Sequence, residues 1–324
     1  MLLSCPSLTS AHTSTSLTPE QEQQFLYYFY EAERLVNLGE LQQAWEVVQF
    51  CHELNPNDAT VNNYMGRFLE AMHRDTEALP YLEKAFRLSP DEYWYNYTLK
   101  LLQTNHKGTQ KKAVALLEGV AQRNKQDAEV RDMLQRAYGT LGEYKKALLI
   151  QDEIDSIVGY NNVSAMQRYR FNVLLHNTQQ AIHEVERYLG TNPDDYQFLV
   201  FRLQLYEQTH QPADKMIVAY EAVLRLDPRN LMLMNNLAWN LCISDRDLER
   251  AEQLSRVTIM KEPTNPIHLD TYAWILYKQG EYETALFYIQ RAMEHIDQDT
   301  KKEVSSHYKT ICKHYKAICK KQTK

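Results

Sequence analysis

Apolar side chains recur along this chain at spacings of three and four residues, the period of one face of an α-helix. The clearest window is 269–292. There Leu269, Tyr272, Ala273 and Leu276 fall at i, i+3, i+4 and i+7, and beyond Gly280 a second face follows at Ala285, Ile289 and Ala292. Gly280 is suited to the left-handed conformation that ends a helix. The pattern therefore predicts two amphipathic helices joined by a tight turn, with alanines letting them approach closely. Nowhere does a strand-like alternation stand between turn residues, and no apolar run is long enough to span a membrane. The chain is predicted to be all-α.

One such hairpin cannot bury its apolar faces alone and needs neighbours. The sequence supplies them. A marker near the start of the second helix recurs at Ala44, Ala78, Ala113, Ala147, Ala181, Met216, Ala251 and Ala285, at intervals of 34 or 35 residues. Pro56, Pro90, Pro193, Pro228 and Pro263 share a place just after the second helix, where a locked φ and a missing donor stop it. Eight repeats are expected, at about 25–58, 59–92, 93–127, 128–161, 162–195, 196–230, 231–265 and 266–299, in an array over 18–299. Thr18, Pro19 and Gln21 read as its first helix start, with Thr18 and Gln21 closing a capping box. Pro80 falls early in a second helix, where the first amides have no intrahelical partner.

On these residues the chain resembles the tetratricopeptide repeat (TPR) family, a 34-residue helix-turn-helix pattern. Ala32, Gly66, Ala238 and Ala273 match the small first-helix position, which the middle repeats fill with Lys100, Gln135, Tyr169 and Leu203. The family's turn glycine is matched at Gly39, Gly108, Gly142 and Gly280, and replaced by His73, His176, Gln211 and Arg246. The resemblance implies an α-solenoid superhelix whose concave groove, lined by first helices, binds an extended peptide or helix. Carried over position by position, the groove candidates are Asn235, Trp239, Asp270, Trp274 and Tyr277, with Asn63, Arg67 and Tyr97 in earlier repeats. Trp239 and Trp274 hold the same groove position 35 residues apart and would form an apolar binding strip; the alternative is that they pack against adjacent first helices. The family's clamp for a terminal carboxylate is not expected, because the fifth positions hold no lysine and include Asp132 and Asp270. More narrowly, 17–35 and 262–285 resemble exported TPR proteins of Bacteroidetes.

Composition narrows the function classes. A net charge of −6 argues against nucleic acid as the principal partner, which usually requires a basic face. Five cysteines without a CxxC pair give neither a disulfide framework nor a zinc pattern. No phosphate loop, dinucleotide fingerprint, HExxH or nucleophile elbow occurs. No catalytic, cofactor or metal residues are assigned, and an enzyme is disfavoured. The expected partner is a protein or peptide.

The two ends add a setting. Residues 1–17, rich in Ser and Thr, read as a disordered leader or a shortened signal peptide, with a small-residue site at Thr9-Ser10-Ala11 and an alternative lipid attachment at Cys5. Export to the periplasm and a cytoplasmic location both stay open. At 300–324 the run HYKTICK from His307 is almost repeated from His314. It predicts an amphipathic capping helix with Tyr308, Ile311, Cys312, Tyr315, Ile318 and Cys319 on one stripe and Lys309, Lys313, Lys316 and Lys320 opposite. The alternative is a basic helix that contacts an anionic membrane.

Overall fold

The computed structural model describes residues 17–296 and 301–322, with side chains for all of these except 314, 315 and 317–322. The leader with Cys5, and the side chains of Tyr315, Ile318 and Cys319, lie outside the described residues. Among the described residues there are seventeen α-helices and no strand. They form two compact units divided after Tyr160. In the first, the hairpins are α1 (Pro19–Leu38) with α2 (Leu41–Leu54), α3 (Ala59–Ala71) with α4 (Asp75–Leu88), α5 (Pro90–Gln103) with α6 (Lys107–Arg123), and α7 (Ala128–Leu141) with α8 (Tyr144–Val158). In the second they are α9 (Asn162–Leu174) with α10 (Thr178–Leu189), α11 (Tyr196–Gln208) with α12 (Ala213–Leu226), α13 (Leu231–Ile243) with α14 (Leu248–Lys261), and α15 (Pro266–Gln279) with α16 (Tyr282–His295), followed by α17 (Lys301–Gln322). This is the all-α hairpin repeat that the spacing predicts.

The recurring alanine explains how each hairpin closes. In every second helix but α6 the marker is the fourth residue. All seven marker alanines are 0% exposed, so at each one the facing helix rests directly on a methyl group. Gly66 takes the matching place on α3, where a Cβ would stand 2.6 Å from the Leu82 side chain. The turns follow the same economy. Gly39, Gly142 and Gly280 are left-handed in turns of two residues, and so are His73 and His176 in turns of three. The turns before α12 and α14 are one residue longer, and the left-handed residues become His210 and Asp245 rather than the expected Gln211 and Arg246.

Capping reveals a signal that the apolar pattern does not carry. Two residues after four of the aligned prolines stand Asp58, Asp195, Asn230 and Asn265, each accepting a hydrogen bond from the backbone of the next helix. Proline stops one helix and the acidic or amide cap starts the next. The expected capping box at Thr18 is present: the Gln21 amide donates to Thr18 Oγ1 at 3.3 Å, and the Thr18 amide donates to Gln21 Oε1 at 3.0 Å. Pro80 is the sixth residue of α4, beyond the free amides of the first turn. The helix therefore forgoes one internal bond and runs on.

Where the small first-helix residue is replaced by Lys100 or Gln135, buried polar contacts take over. Lys100 is 5% exposed and pairs with Asp75, and with Glu70 at 3.3 Å. Gln135, 1% exposed, donates to Gln151 Oε1 at 2.6 Å. Tyr169 stacks on Phe201 with ring centroids 4.2 Å apart.

The third hairpin departs furthest. Its marker, Ala113, is the seventh residue of α6, because α6 begins three residues earlier than its counterparts. Gly108 consequently lies inside the helix rather than in a left-handed turn, and His106 caps α6 by accepting from the Thr109 amide at 3.2 Å. The expected turn glycine is thus corrected at this one position.

Candidate functional site

On the first helices of the last two repeats, another part of the chain lies against the candidate residues. Val304 and Ile311 of α17 are 2% and 0% exposed, within the apolar cluster of α15 and α16 that includes Leu269, Ala285, Ile289 and Ala292. Burying two such side chains contributes about 1.5–3 kcal/mol each. This seats α17 as the capping helix, with Lys309, Lys313 and Lys316 exposed.

That seating carries His307 onto the candidate residues. Its imidazole stacks on Trp274 at 4.3 Å between centroids and 26° between planes, and lies 5.4 Å from Trp239 at 36°. His307 Nδ1 stands 2.9 and 2.8 Å from the two carboxylate oxygens of Asp270. A carboxylate accepts, so the ring nitrogen donates. Tyr277 extends the aromatic surface, 4.9 Å from Trp274, and burial raises its phenol above the ordinary range.

Between α13, α15 and the start of α17 is a cavity of about 170 Å³, lined in part by Asn235, Trp239, Asp270 and Glu303. Asn235 is 3% exposed, and its Oδ1 finds no hydrogen-bond partner among the described residues. A buried acceptor left unpaired is destabilising by about 1–3 kcal/mol. Below the strip Cys242 is fully buried, and burial pushes its thiol up to about 12. At the far edge Lys278 donates to Asp245 Oδ1 at 2.8 Å, a bond that raises the lysine's pKa.

The candidates of the first unit do not assemble in this way. Asn63 is buried and accepts from Asn96 Nδ2 at 2.8 Å, which ties α3 to α5. Arg67 is half-buried on α3. Tyr97 is corrected: it is 1% exposed, stacked on Phe86 at 5.3 Å in the core with Leu82, Leu101 and Ala113. The repeat frame starting at 93 places the register of α5, which begins at Pro90, too late, and a core position is read as a groove position. Sequence reasoning also missed His307. Its signal was available, since Val304, His307 and Ile311 fall at i, i+3 and i+7 and so share a helical face.

Among the described residues no group of three or more His, Cys, Asp or Glu side chains is placed to hold a metal ion, and no helix is long and apolar enough to cross a membrane. What the site offers is an aromatic surface with a carboxylate and a free amide oxygen at its edge, suited to holding a side chain.

No protein-family model matches the chain. It is 28% identical to a TPR repeat-containing protein of Pseudomonas aeruginosa over 136 residues, 41% of this chain and 22% of the relative's length. Among solved structures it is similar to MamA of Desulfovibrio magneticus, with 16% identity and a TM-score of 0.45 over 56% of this chain and 99% of that one. It is also similar to a tetratricopeptide repeat protein of Parabacteroides merdae, with 15% identity and a TM-score of 0.33 over 90% and 99%. In sequence, then, the chain is similar to a tetratricopeptide protein over part of its length, and its own helices carry the all-α hairpin repeat.

Proposed function

We propose that this chain is a non-catalytic protein-binding scaffold, and that the strip formed by Trp239, Asp270, Trp274 and Tyr277 holds a helical segment of a partner. One observation carries the reading: a helix of the chain itself already lies against these residues, with a polar side chain on both indoles and the carboxylate. Tryptophan supplies much contact area for little rotamer entropy. The setting we propose is the cell envelope, as the narrower sequence resemblance implies.

The test is affinity capture from cells of the native organism. Wild type is compared with a Trp239→Ala, Trp274→Ala double variant whose helicity is first confirmed by circular dichroism. A partner retained by wild type and lost by the variant is expected. Identical partners with both proteins would remove the strip from consideration.

A membrane adaptor acting through α17 is the weaker reading. The apolar face that would enter a bilayer is the one buried by Val304 and Ile311. Flotation with anionic liposomes at low and high salt decides it, because surface attraction to lysines is screened by salt.

A further inference from the structure

We propose that the strip is selective for a planar cation, the guanidinium of an arginine on a partner helix, and that His307 holds its place in the unliganded chain. This rests on the protein-binding reading above and adds the chemistry of the bound side chain. Three observations converge. The aromatic faces of Trp239 and Trp274 both address the His307 ring, and indole faces attract planar cations, arginine most often. Asp270, 6% exposed, presents both carboxylate oxygens to the ring's Nδ1 at 2.8 and 2.9 Å, the two-acceptor arrangement that a guanidinium fork satisfies with parallel bonds. The adjoining cavity holds a third acceptor, the unpartnered Oδ1 of buried Asn235, with the Glu303 carboxylate at its rim.

The unpartnered Asn235 Oδ1 and both Asp270 oxygens are acceptors. An imidazole brings at most two N–H donors to such a set. A guanidinium brings five in a plane, enough for both Asp270 oxygens and Asn235 Oδ1 together. The cavity of about 170 Å³ shares Trp239 and Asp270 with the His307 contacts and offers room for a longer side chain. A neutral aliphatic side chain would leave Asp270 buried without a donor, which disfavours it strongly.

The experiment titrates three fluorescent peptides into the full-length chain carrying His307→Ala, and into wild type in parallel. All have the sequence of residues 301–313, with His, Arg or Leu at the position of His307. The shared lysines make non-specific attraction equal across the three. Anisotropy should show the Arg peptide binding the His307→Ala chain at least tenfold more tightly than the Leu peptide. Adding Asp270→Asn should remove that preference. Wild type should give the same order at lower affinity, which frees the result from any folding defect in the variant. Equal binding of the Arg and Leu peptides overturns the cation preference while leaving the strip a helix-binding surface. No binding of any peptide to a folded His307→Ala chain overturns both.

Discussion

The third and eighth hairpins are built on the same alanine, yet they present different first-helix faces. In the eighth, Ala285 is the fourth residue of α16 and Gly280 makes the left-handed turn, so the residues of α15 fall where the repeat register puts them. In the third, the turn lies three residues further from Ala113, and Tyr97 rotates into the core while Lys100 is buried against two carboxylates. The alanine fixes where two helices touch. The turn fixes which side of the first helix looks outward. A repeat can keep its core and still turn a different side of its first helix outward.

Substitutions separate the two roles. The largest effect is expected from Ala285→Leu, which forces three carbons into a contact with 0% exposure between α15 and α16. Overpacking of this kind is destabilising by about 1–3 kcal/mol, and the upper end is expected here because α17 also rests on this cluster. Urea denaturation followed by circular dichroism reads it, and an unchanged midpoint would mean the marker does not set the hairpin contact. In the third hairpin, Lys100→Ala should cost about 2 kcal/mol as a cavity, whereas Lys100→Met should be nearly neutral. Asp75 and Glu70 keep 64% and 28% side-chain exposure, so water can replace the lysine. Equal losses from both variants would show that the ion pair, not the packing, matters.

A smaller loss, about 1 kcal/mol, is expected for Gly280→Ala at φ +89°, a conformation that an alanine adopts with strain. Gly108→Ala should be milder, because its φ is helical and its crowding is against the end of the His106 ring. A thermal melt showing the reverse order would contradict the shifted turn.

The eighth hairpin should also be the more acid-sensitive through His268, whose pKa burial holds below the ordinary value of 6.5. The unfolded chain then binds the proton more readily than the folded one. Stability from this group is complete above the unfolded value and declines as pH falls through 6.5 toward the folded pKa. A His268→Gln variant should flatten the dependence of the urea midpoint between pH 8 and 5; a parallel pair of curves would refute it. Least of all in energy, but sharp in readout, the Cys242 thiol, held up at about 12 by burial, should resist iodoacetamide at pH 8 until the chain unfolds. Mass spectrometry of the Cys242 peptide reports this directly.

The hairpins were legible because their signals are local. Alanine spacing, stop prolines and Thr18 act within one or two turns of helix, and each is readable without knowing the neighbours. The Asp and Asn caps two residues after the prolines were equally local, and reading them would have sharpened the helix starts. The candidate strip was legible only in part. Trp239, Asp270 and Trp274 follow from register in a regular repeat. Tyr97 was misplaced because a repeat frame starting at 93 carries no information that α5 begins at Pro90. His307 was hidden for another reason. Its role comes from a contact 37 residues away in sequence with Asp270, and helical periodicity alone does not say which neighbour a face will meet.

If the strip binds a partner helix as proposed, the seated α17 makes that recognition an exchange rather than an encounter. An incoming helix competes with a segment covalently attached to the same chain, so its apparent affinity is reduced by the fraction of molecules in which α17 has lifted. Its observed association rate should rise with concentration and then level off at the departure rate of α17. Ile311→Ala, which removes a buried anchor of α17 and keeps both indoles and Asp270 in the chain, should raise that plateau. A scaffold of the kind proposed would set its own response time through the grip of its last helix.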